Sequence, residues 1–303
     1  MLGVVLAAAA LPGQTGGGIA ERIRHAPLAE ERKVALAAAY SKKDIAGVEG
    51  ILAGSGAAEL ATLLGAIEFV DGRAIQAVAA FRRADALTPL DDHDRFTLAM
   101  ALVNLGDVRG ARPELARLNG VHPNEPIYLY WLARLDYGQR LYDEAVAKLK
   151  KVIELDPGSV RGYDNLGLCY DMMGRGEEAR TAFDKAVALN RKVAAPSPWP
   201  PHNLGALLLR LQKFHEAEDS LREALKYDPR FAPAHYHLGR ALEGEGRNEE
   251  AVGAYKWAAE MDGKMPEPLY SLARLYRRMG RSSEAANALA EYKRRKAVAV
   301  DSL

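Results

Sequence analysis

Three tyrosine and arginine pairs carry the most usable chemistry in the sequence: Tyr130 with Arg134, Tyr236 with Arg240, and Tyr270 with Arg274. Residues four apart on a helix share a face, so each pair sets an aromatic surface beside a guanidinium fork that can give a carboxylate two parallel hydrogen bonds. That is recognition chemistry rather than bond-making chemistry. The competing reading stacks each arginine on its own tyrosine along a solvated helix face. Asn165 and Asn203 add side-chain amides that both donate and accept. Trp199, inside the proline-rich run AAPSPWPP at 194–201, is a candidate edge anchor for a partner.

Catalytic arrangements are missing from the pattern. His235 and His237 lie two apart, so on a helix they point away from each other, unlike the i, i+4 histidines of a zinc-binding helix. The remaining histidines, at 25, 93, 122, 202 and 215, are scattered, and the one cysteine, Cys169, sits in an apolar helical run as a small buried thiol would. No phosphate-cradling glycine motif or nucleophile elbow occurs. Acidic doublets such as Glu177-Glu178 and Glu249-Glu250 read as solvated helix faces. The expectation is no catalytic residue, no metal and no cofactor. With 41 lysines and arginines against 40 aspartates and glutamates, the chain also lacks the electrostatic footprint of a nucleic-acid binder.

The elements that position these residues follow from a repeat. Gly65, Ala99, Ala133 and Gly167 are spaced by 34 residues; after a four-residue insertion the series resumes at Gly205, Gly239 and Ala273, each small residue preceded by leucine. Twelve residues beyond each stands an alanine (77, 111, 145, 179, 217, 251 and 285). Four further on stands Phe81, Leu115, Leu149, Phe183, Leu221, Tyr255 or Leu289. Offsets of one, three and four are a helix's buried stripe, not a strand's alternation. Glycine-rich turns such as Gly106-Asp107 and Gly174-Arg175-Gly176 separate two helices in each unit, and Pro89, Pro123, Pro157 and Pro229 end the second. The small residues should let the two helices approach closely, with Gly167 and Ala179 facing Tyr170 and Phe183.

This pattern, with LGLCY at 166–170, Ala179, Phe183 and Ala186, resembles the tetratricopeptide repeat over residues 58–299. The resemblance implies an all-α, right-handed superhelical solenoid of antiparallel helix pairs. Units one to four would occupy 58–193 and units five to seven 198–299, with a degenerate hairpin or cap at 19–57. It also implies that first helices line a concave groove. Tyr130, Arg134, Asn165, Asn203, Tyr236, Arg240, Tyr270 and Arg274 would then bind an extended peptide or partner protein bearing acidic groups or a terminal carboxylate, with the asparagines on its backbone. The sequence departs from the pattern at Arg191 and Gly263, where the unit-ending proline is expected, and at Glu68 and Asp136, where an apolar side chain is expected.

Outside the repeat, Leu2 to Leu11 is an apolar run followed by Pro12 and glycines. It reads as an export leader over 1–18 that lacks the usual preceding positive charge, or as a tail in a cytoplasmic protein. The run is too short to span a bilayer. The 194–201 insertion reads as a surface loop or a hinge, with Pro198 to Pro201 opening the next helix. Lys293 to Lys296 form a basic outer face, and 300–303 a tail. Two further roles fit such a scaffold: an assembly subunit of an envelope complex using convex or edge surfaces, and a recruiting subunit of a separate enzyme.

Overall fold

The computed structural model describes residues 17–52 and 57–301, so the apolar leader run lies outside the described residues. Within them the protein is all-α, with seventeen helices and no strand. None of these helices is long and apolar enough to cross a membrane. The chain divides between Gln139 and Arg140 into two compact units. The first holds α1 (Gly17–His25), α2 (Glu30–Ser41), α3 (Ile45–Leu52), α4 (Ala58–Val70), α5 (Ala74–Leu87), α6 (Asp92–Asn104), α7 (Val108–Val121) and α8 (Pro126–Gly138). The second holds α9 (Tyr142–Leu155), α10 (Val160–Met172), α11 (Gly176–Asn190), α12 (Trp199–Arg210), α13 (Phe214–Tyr227), α14 (Ala232–Gly244), α15 (Asn248–Met261), α16 (Glu267–Arg278) and α17 (Ser282–Asp301).

Helix pairs form because glycine on one helix admits a large side chain from the next. A methyl group added at Gly167 would sit 2.6 Å from the Phe183 ring, at Gly239 2.6 Å from Tyr255, at Gly205 2.7 Å from Leu221, and at Gly65 2.9 Å from Phe81. The expected contact between Gly167 and Phe183 is thus the seam of the α10–α11 pair. The alanine series is buried in every unit. Seven residues after each small residue the backbone turns left-handed, at Gly72, Gly106, Gly174, Gly246 and Gly280 with φ between 71° and 80°, and at Arg140 and Gln212 with φ of 63° and 57°. A left-handed residue releases the chain from the first helix and lets its amide close the last turn.

Four helices stop two residues before a proline: α5, α7, α9 and α13 end at Leu87, Val121, Leu155 and Tyr227, ahead of Pro89, Pro123, Pro157 and Pro229. Where Arg191 replaces the proline, α11 runs on to Asn190. The buried Asn190 amide then clasps the loop that follows: its nitrogen donates to the Ser197 carbonyl (2.8 Å), and its oxygen accepts from the Ser197 amide (2.9 Å). Beyond it α12 opens at Trp199, with Pro200 and Pro201 in its first turn, where missing amide donors cost nothing.

In the first unit, Glu68 and Asp136 occupy apolar repeat positions as fully buried carboxylates. Each is met by an arginine, Glu68 by Arg73 (3.1 Å) and Asp136 by Arg112 (2.7 Å). Burial and a hydrogen bond shared with Glu49 push the Glu68 carboxyl up to about 7. Arg95, only 2% exposed, lies between Asp85 (2.9 Å) and Glu114 (2.6 Å). The buried charged side chains of this core each meet a partner of opposite charge, as burial requires.

Candidate functional site

The sequence-selected residues divide between the units. In the first, Tyr130 is 6% exposed and meets Trp131 edge-on at 5.5 Å. Arg134 donates to the Tyr130 hydroxyl (3.2 Å) and lies 5.7 Å from the Trp131 ring centre. Arg134 is engaged within the protein by the Tyr130 hydroxyl and the Trp131 ring.

In the second unit, the first helices of successive pairs are α10, α12, α14 and α16. Asn165 is buried, its amide donating to the Arg161 carbonyl of its own helix (3.0 Å). Asn203 reaches from α12 to α10, donating to both oxygens of Asp164 (3.0 and 3.1 Å). Its carbonyl oxygen is therefore left to accept from His202 Nδ1 (3.1 Å). His202 Nε2 then carries no hydrogen and accepts from His237 Nδ1 of α14 (2.9 Å). The two imidazoles stack at 4.9 Å. Burial pushes His202 down to about 4 and His237 down to about 3, the latter helped by the adjacent charges of His202 and Arg240.

Trp199 caps this network at the start of α12. It is 47% exposed, meeting His202 edge-on at 5.7 Å and Phe231 at 4.8 Å.

The remaining tyrosines and arginines lie on α14 and α16. Tyr236 lies against Tyr255 (5.9 Å) and His237 (5.2 Å), and Tyr270, 54% exposed, against Tyr292 (5.4 Å). Tyr236, Pro266, Glu267, Tyr270, Tyr292 and Lys296 enclose a depression of about 340 Å³. Arg274 is held by Glu243 (2.8 Å), which also binds Arg278 (3.0 Å) and accepts from the Tyr255 hydroxyl (2.8 Å). Arg240 is exposed and makes no ion pair with any described residue. Burial, and after it the Arg240 charge, hold the Arg210 guanidinium below its ordinary value. Arg210 itself pairs with Asp171.

One group has the donor types of a metal site. His215, Glu218 and Glu245 bring ligand atoms within 4.8 Å of one another. Arg247 already bridges the two carboxylates (2.6 and 2.9 Å), and Arg222 adds a second cation to Glu218 (2.7 Å). Arginine thus fills the cationic role there. In the C-terminal basic run, Arg294 and Arg295 both pair with Glu291 (2.7 and 2.8 Å).

Sequence reasoning dismissed the histidines because His235 and His237 point apart. It missed His202 with His237, which are 35 residues apart. The signal was available: with a 34-residue period, residues about one period apart fall side by side on successive first helices.

Comparison with known proteins agrees with this architecture. The tetratricopeptide repeat family matches residues 96–160, 132–196 and 202–266, together more than half of the chain. The TPR repeat-containing protein YpiA of Bacillus subtilis (strain 168) is 26% identical over 180 residues, 59% of this chain and 41% of that protein. The chain spans less than half the length of the curated relatives it matches. Among solved structures, a tetratricopeptide repeat protein from Parabacteroides merdae ATCC 43184 superposes with a TM-score of 0.63 at 19% identity, covering 77% of this chain and 92% of that one. PilW, a widely conserved type IV pilus biogenesis factor, superposes with a TM-score of 0.60 at 21% identity, covering 66% and 91%. These two likenesses are of fold. With helix pairs, glycine seams and left-handed turns recurring in register, and with the family matching over most of that span, the chain belongs to the tetratricopeptide repeat family.

Proposed function

We propose that the second unit is a non-catalytic scaffold surface that holds an extended, acidic segment of a partner protein along α12, α14 and α16. A protein-binding role accompanies the repeat family in general. The narrower reading rests on Arg240, an exposed guanidinium with no ion pair among the described residues. A partner carboxylate could accept two parallel hydrogen bonds from it. Tyr236, one turn before it on α14, and Tyr270 add rigid contact area at the 340 Å³ depression.

The geometry also ranks the sequence-selected arginines. Arg274 already has Glu243 and Arg134 already has Tyr130, so Arg240 should contribute most to an acidic ligand. A displayed library of short peptides, with internal and terminal carboxylates, tests this on the full chain. The expected result is enrichment of acidic peptides that bind Arg240→Ala at least about tenfold more weakly, with a shallower salt dependence, while Arg134→Ala binds within about twofold of the parent. Peptides without acidic enrichment, or unaffected by Arg240→Ala, would remove the proposal.

A further inference from the structure

The first unit's corresponding surface is covered by the chain itself. Helix α1 belongs to no pair: α2 packs with α3, α4 with α5 and α6 with α7, and α1 lies outside that scheme against α2 and α4. Ile19 and Ile23 are buried in one cluster with Leu36 of α2, Val48 and Leu52 of α3, and Leu60, Leu63 and Ile67 of α4. Between them Arg22 reaches across to the next first helix. Its guanidinium donates to both oxygens of Asp94 on α6 (2.7 and 3.0 Å) and to the Thr62 hydroxyl on α4 (2.8 Å).

Three features mark α1 as an occupant rather than a structural layer. It spans nine residues, too few to hold a helix in water without a surface to fold on. It joins α2 through the non-helical stretch 26–29, which contains Pro27. Its central contact is a forked pair with Asp94, a carboxylate 5% exposed whose ion pair is Arg22. Whatever replaces α1 must bring a guanidinium to that carboxylate, because a buried charge left unpaired is strongly disfavoured.

We infer that the α4–α6 face is a docking site for a short amphipathic helix of a partner protein with the pattern apolar-x-x-Arg-apolar, covered in the isolated chain by residues 19–23. Ile19, Arg22 and Ile23 lie at i, i+3 and i+4, one face of a helix laid into a groove. The site belongs to the first unit and does not depend on the acidic-ligand reading of the second.

The test uses the full chain carrying Ile19→Asp and Ile23→Asp, which detaches α1, and a labelled synthetic peptide of residues 17–28. Circular dichroism and the thermal midpoint establish that the variant is folded. Fluorescence anisotropy should then show the peptide binding the double variant at least about tenfold more tightly than the parent chain, whose site is covered. Arg22→Ala in the peptide, or Asp94→Asn in the chain, should each weaken binding by about tenfold or more. A folded double variant that ignores the peptide overturns the inference. Should the double variant not fold, a protease site introduced between Ala26 and Ala29 and cut in the purified chain gives the same answer. Exchange of the cut segment for labelled peptide supports the site, and retention against excess peptide, or unfolding on cutting, refutes it. A dimer formed by reciprocal exchange of α1 would make the occupant a second copy of the chain and overturn the partner assignment.

Discussion

In the first unit Arg95 lies buried between Asp85 and Glu114, Arg112 covers Asp136, and Arg22 closes over Asp94. In the second, Arg240, Arg274 and Arg278 stand on the surface, and beside the buried, ion-paired Glu218 runs an uncharged chain, Asn203, His202 and His237, anchored on Asp164. Both units use the same glycine and alanine seams, so charge placement is independent of how the pairs are built. Inside the first unit the pairs of Arg95 and Arg112 join consecutive helices, and that of Arg22 crosses from α1 to α6. Arginines outside the second leave a face on which a ligand can act.

The contrast can be broken most severely at Arg95. Arg95→Ala should strip Asp85 and Glu114 of their buried counter-ion and destabilise the first unit by about 3–5 kcal/mol, measured as a shift in the urea midpoint. Arg240→Ala, the matching change in the second unit, should move that midpoint little, as surface charges generally do. Equal shifts would show that the two arginines occupy equivalent environments.

Acidification should pull the units in opposite directions. His202 and His237 titrate at about 4 and about 3 when folded, below the ordinary 6.5, so unfolded chains bind protons first as the pH falls and stability is lost from about pH 6.5 downward. Between pH 7 and pH 5, His202 alone should cost the second unit roughly 2 kcal/mol. Glu68 has the opposite sign: its folded value near 7 exceeds the ordinary 4.5, so its protonated form gains favour over the same interval and the first unit is stabilised. Hydrogen exchange followed by peptide mass should show α12 and α14 losing protection at pH 5 while α4 and α5 keep theirs. Parallel loss in both units would refute the opposed signs.

The smallest expected effect is common to both units. Lys43 and Gln212 hold left-handed backbone, at φ of 55° and 57°, where other turns use glycine. Lys43→Gly and Gln212→Gly should each raise stability by up to about 1 kcal/mol, the left-handed penalty of a side chain less the added freedom of the unfolded glycine. A lowered thermal midpoint for either would mean its side chain makes contacts that outweigh the backbone strain.

The fold was legible because its determinants recur. Gly65, Gly167, Gly205 and Gly239 mark one contact repeated at a fixed interval, and repetition raises a weak local signal far above chance. The site was legible only in part. Tyr236 and Tyr270 do line one depression, since residues one repeat apart fall side by side on successive first helices. Spacing says nothing about what already holds a side chain, so Arg134, Asn165, Asn203 and Arg274 could not be recognised as engaged without knowing which residues of neighbouring helices reach them. Glu68 and Asp136 looked like packing faults for the same reason, as the arginine of Asp136 lies 24 residues away and that of Glu68 just across the following turn. The docked α1 carries no repeat signal at all.

The double contact between Asn190 and Ser197 gives the array a practical property. An amide side chain that mimics one rung of main-chain pairing pinches the bulge off at its neck, leaving residues 191–196 as a side branch. Lengthening such a branch costs only the slow logarithmic growth of loop entropy. Foreign sequence could therefore be spliced there while the helices on either side keep their phase.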